Sequence, residues 1–166
     1  MITPDQIPVL AALGVTASVQ PLFDGWWGGA GRLYDQRLSD RHRGMNPFAT
    51  MHEAGVTLAF GSDSPVTPVS PWAAVRAAVH HSDPAQRLSA TAALDAHTRG
   101  GWSAARRDGG TLEVGAPADL AVWDVTTVER ALDTTAAEPR CVLTVVAGRV
   151  AAGDSHDLRP GGASRD

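Results

Sequence analysis

Residues 56–65 read Val56-Thr57-Leu58-Ala59-Phe60-Gly61-Ser62-Asp63-Ser64-Pro65. The first five are apolar or β-branched with almost no polar alternation, the pattern of a parallel strand covered on both faces. Gly61 ends the run, and Asp63 follows at once, ahead of a proline. In parallel βα architectures functional groups gather at the carboxyl ends of strands. Asp63 is therefore the foremost candidate catalytic residue and the foremost candidate metal ligand. A carboxylate there can bind a cation or take a proton from a metal-bound water. Turn chemistry accounts for it equally well, since Asp-Ser-Pro is a good turn.

Upstream, Asn46 and Pro47 open a helix over Pro47–Ala54 that Gly55 stops. A short strand, Val15–Gln20, is closed by Pro21, and before it Thr3 caps a helix ended by Gly14. Between Leu22 and Met45 the glycines and charges read as a long loop, of a length more often functional than idle. Downstream, Ser70-Pro71 starts a helix carrying Trp72, Val75 and Val79, and another runs from Ser89 to Thr98 before Gly100-Gly101. This is the rhythm of parallel βα units, in an open sheet or a barrel. From Gly109 the chain reads as short strands: Thr111–Val114, Leu120–Trp123, Cys141–Val146 and Arg149–Ala152, the last two a hairpin around Gly148. A β unit of about 40 residues is too small to hold a core alone and pairs with strands outside this chain. The expected divisions are a βα region over 1–108, a β region over 109–153 and a disordered tail over 154–166.

With 43% hydrophobic residues the 166-residue chain is expected to be globular. A net charge of -4 and a pI near 5.8 argue against a nucleic-acid partner. No apolar run is long enough to span a membrane, and no signal peptide is visible. The single cysteine, Cys141, suits a reducing compartment, so a cytoplasmic location is expected. All 14 basic residues are arginine, so a lysine nucleophile or modified lysine would have to come from elsewhere.

Gln20, at the end of its strand, is a candidate substrate donor. Trp26 and Trp27 are candidates to wall a pocket for apolar or aromatic groups, or else pack the loop. Arg41, with Arg37, could hold a substrate carboxylate, although solvated arginines are commoner. His80 and His81 are adjacent, face different ways and are expected at the surface. Asp119 is expected to hold a structural turn, and Cys141 to be a buried small residue.

Several stretches resemble the amidohydrolase family 3. Gly55–Ala78 is similar to its eighth barrel strand and following loop, and Leu13–Pro21 to its seventh strand. Arg87–Ala105 resembles the helix that follows, Gly110–Asp124 the return into its β-sandwich, and Leu143–Gly153 the closing hairpin. The resemblance implies an α/β fold: the C-terminal part of a distorted (β/α)8 TIM barrel plus part of a small β-sandwich. It implies a metal-dependent hydrolase of carbon–nitrogen bonds, acting on a small-molecule substrate such as an N-acyl amino acid, a substituted formamide or a cyclic amide. Asp63 matches the aspartate that helps bind zinc or a similar divalent metal and serves as general base. The His-x-His pair and the other ligands of that family have no match here, so the chain is expected to be inactive alone. The alternative is a non-catalytic truncated module for binding or assembly, or a gene remnant. A homo-oligomer is compatible with either reading. An open doubly wound domain is disfavoured, because no Gly-rich phosphate loop follows either strand.

Overall fold

The computed structural model describes residues 2–153, so the expected disordered tail lies outside the described residues. A 3-10 turn at Pro4–Gln6, tied by the Thr3 N–H to Gln6 Oε1 at 2.9 Å, leads into helix α1 (Ile7–Ala12). Strand β1 (Thr16–Val19) and strand β2 (Thr57–Phe60) then pair in parallel, from Thr16 opposite Thr57 to Val19 opposite Phe60. The Gly61 N–H continues the ladder to the Val19 carbonyl at 2.9 Å.

The connection between these strands departs from the sequence reading. Instead of a loop over Leu22–Met45, the chain forms α2 (Pro21–Trp27), α3 (Leu33–Leu38) and a 3-10 turn (Ser39–His42). Pro21 sits at the first helical position, where its missing N–H costs nothing. Phe23 and Trp27, four residues apart on one face, stack with centroids 4.8 Å apart and stiffen the short helix. The glycines punctuate helices; they do not dissolve them. Helix α4 (Phe48–Glu53) then returns the chain to β2.

Beyond β2 come α5 (Pro71–Val79), α6 (Ala90–His97) and α7 (Arg99–Ala104). Ser70 and Ser89 cap α5 and α6 by accepting the Ala73 and Ala92 N–H groups. Helix α7 runs through Gly100-Gly101, which the sequence reading took as a stop. Gly100 is buried because the helix lies against the backbone of β2 there, an approach that only glycine permits. The core is built from Ile7, Phe48, Met51, Leu58, Trp72 and Val75, with Phe48 only 1% exposed.

Strands β3 (Leu120–Trp123), β4 (Cys141–Val146) and β5 (Arg149–Gly153) form an antiparallel sheet in the order β3-β4-β5. The β4–β5 hairpin turns at Ala147-Gly148, both with positive φ (49° and 75°), as a two-residue turn of this hand requires. Asp119 Oδ1 accepts the Ala147 N–H at 2.7 Å, so this aspartate holds the turn as expected. Three readings are corrected. Thr111–Val114 is not a strand: no partner strand is present among the described residues, and Leu112 and Val114 stand exposed. Cys141 is exposed, because it enters β4 at the margin of the sheet. A further helix, α8 (Val128–Leu132), intervenes between β3 and β4; at five residues it is too short to show a helical period.

Arg76 of α5 joins the two regions. Its Nε donates to the Ala131 carbonyl at 2.6 Å, and its Nη1 and Nη2 to the Ala136 and Ala137 carbonyls at 3.2 Å each. Trp72 meets Trp123 edge to face at 6.0 Å. Among the described residues β1 and β2 have no third strand, and an apolar groove of about 330 Å³ runs along Leu10, Ala17, Val19, Met45, Phe48 and Met51. Two strands are not a stable sheet, and unpaired edges recruit others. The purified chain is expected to elute from a sizing column well ahead of a 17.3 kDa monomer. A monomeric peak with one cooperative unfolding transition would contradict this.

Candidate active site at the strand ends

Asp63 lies three residues beyond the end of β2 in a left-handed conformation, φ 53°, which aspartate adopts more readily than most residues. The turn is fixed by its neighbours. The Asp63 carbonyl accepts the Val66 N–H at 2.8 Å, and Ser62 Oγ accepts the Ser64 N–H at 3.2 Å. The fully buried Thr67 hydroxyl donates to the Ser62 carbonyl. The side chain that caps this turn is thus Ser62, and the exposed Asp63 carboxylate accepts no hydrogen bond among the described residues.

Because Val19 pairs with Phe60, Gln20 and Gly61 leave the sheet side by side. Gln20 sits at the N-cap of α2, its carbonyl accepting the Phe23 N–H at 3.0 Å. Beside β2 a cleft of about 230 Å³ is lined by Leu22, Phe60, Ser62, Ser70 and His97 among others. His97, which the sequence reading placed on a late helix without a role, projects its ring edge-on to Phe60 at 6.3 Å. Burial holds the His97 imidazole below its usual value of 6.5. The unfolded chain therefore binds a proton near pH 6.5 that the folded chain still refuses, so stability falls as pH drops through that value. His97→Phe is expected to flatten this dependence in denaturant titrations at pH 7.5 and 5.5; an unchanged difference between the two pH values would refute it.

Neither Trp26 nor Trp27 lines the cleft beside β2. Trp27 packs between Phe23 and Tyr34, its centroid 6.0 Å from the tyrosine, whereas Trp26 is 48% exposed and faces a different cleft between α2 and α5. Arg37 and Arg41 are exposed, on α3 and on the following 3-10 turn, and line neither cleft.

His81 corrects the surface expectation: it is 1% exposed, against Phe48 at 5.3 Å. Its Nδ1 accepts the Asp83 N–H at 3.0 Å, and its Nε2 lies 3.5 Å from Asp24 Oδ1. The buried Asp24 carboxylate also accepts the Ser82 N–H and hydroxyl at 2.8 and 2.6 Å. These polar contacts pin α2 to the end of α5. Nothing local in the sequence marked Asp24, since its partners lie 57 and 58 residues away (81 − 24 and 82 − 24).

Among the described residues no three His, Cys, Asp or Glu side chains gather in a way that could hold a metal ion. A catalytic zinc typically needs about three protein ligands, so the lone Asp63 carboxylate does not fit one by itself. No helix among the described residues is long and apolar enough to cross a membrane.

A carboxylate exposed beyond the end of a parallel strand, in a mixed α/β chain, lies where parallel βα proteins gather their functional groups. The amidohydrolase family profile matches residues 1–152, and the chain belongs to that family. It is similar to a zinc-complexed atrazine chlorohydrolase from Arthrobacter aurescens TC1, with 26% identity and a TM-score of 0.68 over 92% of this chain and 34% of that one. It is also similar to an uncharacterized metal-dependent hydrolase from Pyrococcus furiosus, with 30% identity and a TM-score of 0.60 over 71% of this chain and 25% of that one. A 5-methylthioadenosine/S-adenosylhomocysteine deaminase from Halobacterium salinarum is 39% identical over 87 residues, 49% of this chain. The chain spans 20% of that deaminase and about a third of the chlorohydrolase.

Proposed function

We propose that this chain supplies the last two βα units of a distorted (β/α)8 barrel, with part of a small β-sandwich, in a hydrolase of carbon–nitrogen bonds. The observation that carries this reading is the Asp63 carboxylate, left free at the end of β2 while Ser62 and Thr67 hold the turn. Asp63 takes a proton from the attacking water and returns it to the departing nitrogen. Gln20, which follows β1 level with Gly61, donates a hydrogen bond to the substrate. The substrates are small amides of N-acyl, formamide or cyclic type. The relatives' zinc supports a divalent metal in the complete barrel, where it would activate water, with its other ligands from outside this chain.

The test is the metal content of the purified chain, run beside a hydrolysis assay on N-acyl amino acids and formamides. No bound zinc and no turnover are expected from the chain alone, with turnover once the remaining barrel strands are supplied. One zinc per chain with turnover would overturn the shared centre. Inactivity in both forms would favour a non-catalytic module.

A further inference from the structure

We propose that the cleft between α2, α5 and residues 132–138 is a second binding site, for a small carboxylate carried on an aromatic body. The cleft has a volume of about 360 Å³ and is lined by Trp26, Arg32, Arg76, His80, Thr134 and Glu138, among others. It shares only Leu22 with the cleft beside β2, so the two lie back to back.

The charge of the cleft is the first argument. Arg76 is 9% exposed and has no carboxylate within ion-pair distance among the described residues. A guanidinium has five N–H donors, and Arg76 spends three on carbonyls, leaving two. Asp133 acts on Arg76 only at longer range, with no direct ion pair between them, and an anion in the adjoining cleft offsets more of the cost of burying the cation. Arg32 adds a second guanidinium, of which one donor goes to the Gly25 carbonyl. Of the residues lining the cleft only Glu138 is acidic, and its carboxylate is turned to the Ser70 hydroxyl at the start of α5.

The walls supply the second argument. Trp26 is 48% exposed although its neighbours Phe23 and Trp27 pack inward, so its ring face is available to a flat ligand. Together with Leu22 it forms an apolar wall beside the two guanidinium groups. A planar forked donor selects carboxylate over a neutral amide of the same shape.

The experiment is calorimetric titration of the full chain, in its purified assembly, with benzoate, benzamide and inorganic phosphate as separate probes. Benzoate is expected to bind at least about tenfold more tightly than benzamide, the difference one charge-assisted contact makes. Phosphate, lacking the ring, is expected to bind more weakly than benzoate. Arg32→Gln, an exposed position that leaves the fold intact by circular dichroism, is expected to erase the preference for benzoate over benzamide, and Arg32→Lys to restore part of it. Trp26→Leu is expected to weaken benzoate and benzamide alike. Equal binding of benzoate and benzamide, a tighter phosphate, or an unchanged preference in Arg32→Gln would overturn the proposal. Because benzoate and phosphate carry no carbon–nitrogen bond for the strand-end site to cleave, and benzamide serves as the uncharged comparison, failure of benzoate to bind leaves the hydrolase reading standing.

Discussion

Asp63→Asn is expected to lower carbon–nitrogen hydrolysis by the complete barrel by about 10²–10⁴-fold, the usual worth of a positioned acid–base group. Asparagine has the same shape and tolerates the left-handed backbone that Asp63 adopts at φ 53°. The turn bonds come from the Asp63 main chain, Ser62 and Thr67, none of which the substitution touches. Denaturation midpoints of the variant and the parent should therefore agree while turnover collapses. Ser62→Ala gives the complementary result: it loses the cap of the turn but keeps the carboxylate, so its activity falls far less. Turnover of Asp63→Asn near that of the parent would remove Asp63 from the chemistry.

The second large effect concerns stability and falls on Gly100. A β-carbon there would lie 2.1 Å from the Leu58 carbonyl oxygen and 3.0 Å from the Ala59 α-carbon. Both are main-chain atoms of β2 and cannot swing aside, so α7 must lift from the strand. Gly100→Ala is expected to cost about 3–5 kcal/mol, a large share of the roughly 5–15 kcal/mol by which domains are stable. Gly101 is the control. Nothing lies within 4 Å of its added carbon, and alanine there is expected to gain up to about 1 kcal/mol from better helix propensity. Urea midpoints that fell together for the two variants, or stayed together, would show that the close approach carries no such weight.

Much of the fold was legible before any coordinates. The apolar run before Gly61, the Pro-opened helices and the hairpin at Gly148 are local patterns, and β3 and β4 begin and end where the sequence places them. What escaped was decided at long range. Gly100 reads as a helix breaker until the nearby β2 backbone explains it, and the α2–α3 region reads as loop until its aromatic stack is seen. His81 looked like a surface residue because its partner Asp24 is remote in sequence. At the strand ends, Gln20 and Asp63 each follow a strand as the sequence places them, and the parallel register sets Gln20 level with Gly61. Trp26 lines the cleft between α2 and α5 and not the one beside β2, and Arg41 lines neither.

The grip of Arg76 on three carbonyls bears on how the molecule comes apart. Its contacts span 55 to 61 residues, so closing them carries the entropy cost of a long loop. Once made, they tie the small antiparallel sheet to the helix that follows the Asp63 turn. The two sheets are then expected to open as one foldon, with amide protons of β4 exchanging on the same schedule as those of β2 in a hydrogen-exchange experiment. Cutting that tie would leave the hairpin region fraying first, carrying the far wall of the α2–α5 cleft away with it.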